Sequence, residues 1–114
     1  MEIIIAVALA IVVAVFISRM RAQSGGRDEK AHELVDAGAQ LLDVRTAREF
    51  SAGHIEGALN IPVDELDERI GELQPAKTAI VVYCASGMRS ARAHKILEKA
   101  GFQTVHDLRS MANW

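Results

Sequence analysis

Cys84 is the only cysteine of this 114-residue chain, and it is the residue best suited to covalent chemistry. It follows the apolar run Ile80–Tyr83 and precedes the short segment Ala85-Ser86-Gly87-Met88-Arg89. Three β-branched residues in the apolar run predict a buried strand, and residues 90–99 are rich in strong helix formers. Cys84 is therefore predicted to lie at a tight turn from a strand into a helix.

Such a turn is suited to holding a negative charge. The first backbone N–H groups of a helix have no partners within the helix, and the helix dipole adds partial positive charge there. Gly87 can adopt a positive φ and direct these groups toward one centre, as in phosphate-binding turns. With Arg89 nearby, the thiol pKa is expected to fall from about 8.5 toward roughly 3.5 to 7.5, which produces a nucleophilic thiolate. The position alone fits a buried structural cysteine equally well, because free cysteine is among the most buried residue types.

Two motifs, in this order along the chain, accompany that turn. The first comprises Leu41–Arg45 with Glu49-Phe50, then Gly53–Ala58 and Asn60–Pro62, and the second is C-x-x-G-x-R-S at Cys84–Ser90. Together they resemble the signature stretches of the rhodanese-like sulfurtransferases, over about residues 28–114. The related cysteine phosphatases have a loop one residue longer, which accommodates a phosphate. The resemblance therefore shifts the interpretation of Cys84 from structure to catalysis.

The resemblance implies a single-domain sulfurtransferase of the thiosulfate type, to which the apolar N-terminus adds a predicted membrane anchor. Cys84 would take sulfane sulfur from a small anionic donor such as thiosulfate and pass it, as a persulfide, to a thiol or thioredoxin-like acceptor. The loop residues expected to bind the persulfide are Ala85, Ser86, Gly87, Met88, Arg89 and Ser90, and Met88 and Arg89 would help admit the anionic donor. No cofactor or metal is expected. The alternative function is that of a non-catalytic, membrane-tethered persulfide carrier, sensor or docking module.

Asp43 and Arg45 are further candidates for the pocket. They follow a predicted strand at 40–44, and the carboxyl ends of parallel strands meet at the edge where sites are built. Pairing of Asp43 with Arg45 or Arg48 as structural support is the favoured interpretation. A catalytic role for His54 is disfavoured, because a preformed thiolate needs no general base and the resemblance implies a structural imidazole.

The predicted fold class is α/β. Strands at about 40–44, 58–61, 80–83 and 104–107 alternate with helices, which predicts a small parallel sheet covered by helices on both faces. Besides the helix after Cys84, helices are predicted over 28–37, from the capping-box sequence at Thr46 to Ala52, and over 64–73.

Composition excludes several classes of function. Glu2 is the only charged residue among the first 18, which leaves 13 basic and 14 acidic residues beyond them, a net charge of −1 (13 − 14). The absence of a basic stripe argues against nucleic-acid partners. A single cysteine excludes an intrachain disulfide and a cysteine-rich zinc site, and it suits a reducing compartment.

The N-terminus predicts a membrane anchor. Residues 3–17 are fifteen in a row without a polar side chain, and as a helix they reach only about 22 Å against about 30 Å of hydrocarbon. Residues 1–18 are interpreted as a transmembrane or signal-anchor helix, 19–27 as a linker and 28–114 as the rhodanese-like domain. A basic cluster follows the apolar run and predicts a single-pass protein with this domain on the cytoplasmic side; it comprises Arg19, Arg21, Arg27 and Lys30. Export with a cleaved signal peptide and a buried core helix are the alternatives.

Overall fold

The computed structural model describes residues 2–23 and 26–114, and for residues 17–23 it describes the backbone alone. Helices α1 to α4 span Glu2–Gln23, Glu29–Asp36, Ala47–Ser51 and Met88–Lys99. Strands β1 to β4 span Gln40–Asp43, Leu59–Asn60, Ile80–Cys84 and Val105–Ser110. Short 3₁₀ turns cover Val63–Glu65, Ile70–Leu73 and Met111–Asn113. The four predicted strands are confirmed, as are the helices predicted before β1, after β1 and after β3.

The four strands form one parallel sheet in the order β2-β1-β3-β4. Leu42 of β1 lies between Leu59 of β2 and Val82 of β3, and Asp43 pairs with Tyr83. Because all strands run in the same direction, their carboxyl ends share one edge of the sheet. Cys84 ends β3 at this edge, one position beyond the level of Asp43.

Both faces of the sheet are covered. Every residue of β3 is buried, which is typical of a central parallel strand. Val82 packs in a core cluster with Leu97 of α4, whereas Val81 packs in a second cluster with Ala31 of α2. Side chains alternate between the faces of a strand, so consecutive residues of β3 contribute to two separate hydrophobic layers.

Local capping signals explain where the helices begin. Asp28 accepts a hydrogen bond from the Ala31 N–H at 3.0 Å and caps α2. Thr46 and Glu49 form the predicted capping box at the start of α3. Gly87 precedes α4 with φ of 104°, a left-handed conformation that favours glycine.

The predicted helix over residues 64–73 is wrong. This segment contains two separate 3₁₀ turns, with Arg69 between them. Leu66 and Leu73 are nevertheless buried in the core, and Ile70 packs against it. The spacing of these three apolar residues predicts a helix, because a helix would place all three on one face. Gly71 weakens a continuous helix at this point. Two short turns bury the same side chains.

The N-terminal segment is helical, and α1 continues to Gln23, which lies in the predicted linker. Its large apolar side chains between Ile3 and Phe16 are 47–79% exposed. Within the described residues, none of the helices combines the length and the apolar character that crossing a membrane requires. The predicted transmembrane helix therefore stays a prediction. Ser24 and Gly25 of the predicted linker lie outside the described residues, as do the side chains of Arg19 and Arg21 on which the predicted orientation depends.

Candidate active site

The Cys84 thiol lies at the end of β3, directly below the turn into α4. The Gly87 N–H donates a hydrogen bond to Cys84 Sγ at 3.0 Å. The positive φ of Gly87 directs this N–H back toward the cysteine instead of along the helix. The predicted strand, turn and helix thus bring the thiol and the loop of residues 85–90, called here the active-site loop, around one centre.

Two opposing effects act on the acidity of the thiol. Burial raises the pKa of Cys84, but hydrogen bonds from Ser90, Gly87 and Ser86 lower it, and the net pKa is below that of an ordinary thiol. The Ser90 hydroxyl has one proton to donate, and it lies 3.1 Å from the Gly87 carbonyl that accepts it. The backbone N–H groups of Ser86, Gly87 and Ser90 are therefore the part of the loop that stabilises the thiolate. A cysteine with a merely structural role would have the raised pKa that burial alone produces.

The active-site loop covers the sulfur. Cys84 and Ser90 have no exposed surface, whereas Ala85 and Ser86 are exposed and Met88 is 82% exposed. The sulfur is therefore shielded from solvent in this structure. Met88 lies at the outer surface of the loop.

Arg89 is held by a carboxylate from another element. Its Nη1 and Nη2 donate to Glu49 Oε1 and Oε2 of α3 at 2.6 and 3.0 Å. The hydrogen bond from Arg89 lowers the pKa of Glu49 to about 2, and the same bond raises the pKa of Arg89. Glu49 also completes the capping box with Thr46, so it is fixed from both sides. The sequence predicts Glu49 as part of the capping box and of the first family motif, but no local pattern indicates that it binds the active-site loop.

Asp43 and Arg45 form a buried ion pair below the loop. Arg45 Nη2 donates to Asp43 Oδ2 at 2.7 Å and to the Gly53 carbonyl at 2.7 Å, and Arg45 Nε donates to Asp43 Oδ2 at 3.0 Å. The hydrogen bond to Asp43 raises the pKa of Arg45. Asn60 Nδ2 donates to the carbonyls of both residues at 3.0 Å. These hydrogen bonds connect the end of β1 to β2 and to the turn at Gly53.

The histidines lie outside this centre. His54 Nδ1 donates to the Phe50 carbonyl at 2.8 Å, and its ring stacks on Phe50.

Tyr83, beside Cys84, has its pKa raised to about 12 by burial, and its hydroxyl accepts a hydrogen bond from the Ile55 N–H. Among the residues that the structure describes, no group of three or more His, Cys, Asp or Glu side chains is arranged to hold a metal ion.

Comparison with known proteins places this geometry in a family. Residues 27–114 match the rhodanese-like domain, which is most of the chain. The chain belongs to the rhodanese-like domain family. Its relatives include the uncharacterized protein YqhL of Bacillus subtilis, 42% identical over 71 residues, which are 62% of this chain and 56% of YqhL. The chain thus spans little more than half the length of that relative.

Two further comparisons concern relatives named as sulfurtransferases. Thiosulfate sulfurtransferase PspE of Escherichia coli is 38% identical over 74 residues, which are 64% of this chain and 71% of PspE. The human single-domain sulfurtransferase TSTD1 is similar in structure, with a TM-score of 0.66 and 26% identity, and the match covers 78% of this chain and 91% of that one. These homologues support sulfur transfer as the general activity of this rhodanese-like domain.

Replacing Gly87 with valine tests whether the loop amides form the thiolate. A β-branched side chain resists φ of 104°, so the Gly87 N–H should turn away from Cys84 Sγ. A built Cβ would also lie 3.4 Å from Arg109 Cβ. We expect sulfur transfer to fall strongly and the pH midpoint of Cys84 alkylation by iodoacetamide to rise, because the thiolate loses the hydrogen bond from the Gly87 N–H that lowers its pKa.

Gly38→Val is the matched control for backbone strain. Gly38 has φ of 106°, and nothing lies within 4 Å of a Cβ built on it. This variant should lose stability like Gly87→Val but keep the wild-type alkylation midpoint. Equal midpoints for the wild type and Gly87→Val would mean that the loop amides do not set the thiol pKa.

Proposed function

We propose that this rhodanese-like domain transfers sulfane sulfur from thiosulfate or a similar anionic donor through a persulfide on Cys84. The thiolate attacks the outer sulfur of the donor and forms a new S–S bond. The S–S bond of thiosulfate breaks, and its electron pair leaves with sulfite. A thiophilic acceptor, such as cyanide or a thiol, then attacks the outer sulfur of the persulfide and regenerates the Cys84 thiolate.

The observation that carries this proposal is the hydrogen bond from the Gly87 N–H to Cys84 Sγ. The hydrogen bond from Gly87 is 3.0 Å long, and the N–H groups of Ser86 and Ser90 also lower the thiol pKa. Preorganised donors of this kind stabilise an anion without reorganising during the reaction. These N–H groups stabilise the resting thiolate, and they then stabilise the persulfide anion, whose charge lies one sulfur atom further out.

Steady-state turnover with thiosulfate and cyanide tests this function. We expect thiocyanate to form catalytically, with sulfite as the second product, and Cys84 to gain the mass of one sulfur atom when the acceptor is left out. We also expect no hydrolysis of aryl phosphates, since the loop is one residue shorter than a phosphatase loop. Labelling of Cys84 with sulfur, without turnover on any acceptor, would contradict the proposed enzymatic activity.

The complete burial of Cys84 favours a second candidate, a persulfide carrier or sensor. A covered sulfur exchanges slowly with small molecules, and a partner protein that displaces the loop would load it instead. Stoichiometric labelling of Cys84 by a desulfurase partner, together with thiosulfate turnover no faster than in the absence of protein, would favour this function over the enzyme.

We further propose that α1 attaches the protein to a membrane, as a single-pass segment with the rhodanese-like domain on the cytoplasmic side. Support comes from the large apolar side chains between Ile3 and Phe16, which are exposed to water in the isolated chain. A helix that is apolar all round is not stable as a solvated surface element. Burial of these side chains in lipid removes that apolar area from water.

Carbonate extraction and a reporter fusion test the attachment. We expect the full chain to stay in the membrane pellet and Val12→Arg to move to the soluble fraction, since a charge at the helix centre costs about 2.5–3.5 kcal/mol. Green fluorescent protein fused after Trp114 should be bright. Active alkaline phosphatase at the same point would show the opposite orientation, and a mature N-terminus near Ser24 would indicate a cleaved signal peptide.

A further inference from the structure

Arg109 has an unusual backbone conformation beside the active-site loop. Its φ is 72°, and in the described part of the chain it is the only residue other than glycine with a positive φ. Residues with long side chains rarely adopt this region, and such outliers persist where the surrounding structure holds them. This conformation gives the charged Arg109 side chain a direction that it would not have in a regular strand.

A β-bulge explains this conformation. Val82 pairs with Asp107, but Tyr83 pairs with Arg109, so Leu108 is an extra residue in β4. Leu108 is buried in the core, whereas Arg109 is exposed. Bulges re-aim side chains, and this one lies at the carboxyl edge of the sheet, next to Cys84.

The Arg109 side chain runs along the loop residue that binds the sulfur. A Cβ built on Gly87 would lie 3.4, 3.7 and 3.9 Å from Cβ, Cγ and Cδ of Arg109. Gly87 is the residue whose N–H donates to Cys84 Sγ. The aliphatic stem of Arg109 therefore packs on the active-site loop, and Arg109 as a whole is exposed to solvent.

The two arginines near the thiol differ in their partners. The Arg89 guanidinium forms two hydrogen bonds to Glu49, which neutralise it. For Arg109, the described residues supply no side-chain hydrogen bond and no carboxylate within ion-pair distance; its backbone N–H alone donates to Asp107. An unpaired guanidinium offers several N–H donors that match the oxygens of an anion.

We propose that Arg109 recruits the anionic sulfur donor to Cys84, and that Arg89 instead fixes the loop through Glu49. This inference deepens the proposed function and rests on its anionic donor. Arg109 would hydrogen-bond to the oxygens of a sulfonate-like group while the outer sulfur approaches Cys84 Sγ. It reverses the sequence-based prediction that Arg89 admits the donor.

The test compares two alkylating reagents of similar size, anionic iodoacetate and neutral iodoacetamide, on Cys84 of the full chain. We expect the ratio of their rate constants, iodoacetate over iodoacetamide, to fall about fivefold to tenfold in Arg109→Gly and Arg109→Gln. Arg109→Lys should keep most of the wild-type ratio. Glycine adopts a positive φ without strain, so Arg109→Gly should fold at least as stably as the wild type.

Arg92→Ala is the matched control, because it removes the same charge from an exposed side chain of α4 that pairs with Asp64. Its reagent ratio should equal that of the wild type. A purely structural effect of Arg109 would change both rate constants together and leave their ratio unchanged. Added salt should lower the ratio in the wild type but not in Arg109→Gly. An unchanged ratio in both Arg109 variants, or an equal fall in Arg92→Ala, would overturn the proposal.

Thiosulfate kinetics separate this inference from the proposed function. If the protein turns over thiosulfate, Arg109→Gly should raise KM about tenfold with little change in kcat. If the reagent ratio falls as expected but no variant turns over thiosulfate, anion recruitment by Arg109 is supported and the donor assignment fails. Turnover with unchanged KM and an unchanged ratio would reject Arg109 and leave the sulfurtransferase function intact.

Discussion

Cys84→Ser is expected to abolish sulfur transfer, with residual turnover below about a thousandth of the wild type. The serine hydroxyl is similar in shape to the thiol, but it stays protonated at neutral pH and forms no persulfide. The hydrogen bond from Gly87 to Sγ stabilises an anion in the wild type, and it cannot make serine ionise. Turnover with thiosulfate and cyanide measures the loss.

The fold should survive this substitution. Cys84 forms no disulfide, and the change removes little volume, so the free energy of unfolding should stay within about 1 kcal/mol of the wild type. Mass spectrometry after incubation with thiosulfate should show an added sulfur atom in the wild type only. Residual turnover above about a tenth of the wild type would contradict a mechanism through Cys84.

Asp43→Ala is expected to produce the largest loss of stability, about 3–5 kcal/mol. Asp43 has no exposed surface and Arg45 is 6% exposed. The substitution therefore leaves the Arg45 guanidinium buried without its carboxylate, and its hydrogen bond to the Gly53 carbonyl remains. Typical domains are stable by only about 5–15 kcal/mol, so this is a large fraction of the total. Urea denaturation measures the change as a lower midpoint.

Two variants separate the ion pair from its surroundings. Arg48→Ala removes an arginine of α3 and should change stability by less than about 0.5 kcal/mol. The double variant Asp43→Leu with Arg45→Met replaces both charges and should recover much of the loss, because no charge is left buried without a partner. A single Asp43→Ala variant as stable as the wild type would show that the pair does not brace this edge of the sheet.

Short-range signals in the sequence were enough to predict the elements that carry Cys84. The β-branched run before it formed β3, and the capping-box sequence at Thr46 began α3 as predicted. Gly87 adopted the positive φ that a turn into α4 requires. These features depend on residues within a few positions of one another, where steric preferences and capping hydrogen bonds act directly.

One local signal gave a wrong prediction, because packing overrode it. Apolar residues at Leu66, Ile70 and Leu73 have helical spacing, yet two 3₁₀ turns satisfy the same contacts. The fifteen apolar residues near the N-terminus predict a membrane anchor, a prediction that depends on an environment outside the chain. Binary patterns report which side chains need burial, but they do not specify what buries them.

The sequence by itself determined the strand and the loop that hold the candidate nucleophile, while the tertiary structure alone decided which charges surround them. Glu49 and Arg89 are 40 positions apart, and their pairing depends on how α3 packs beside α4. Arg109 reaches Gly87 only because a bulge shifts the register between β3 and β4. Local preferences act over a few residues, whereas the position of a distant charge follows from the packing of the whole sheet.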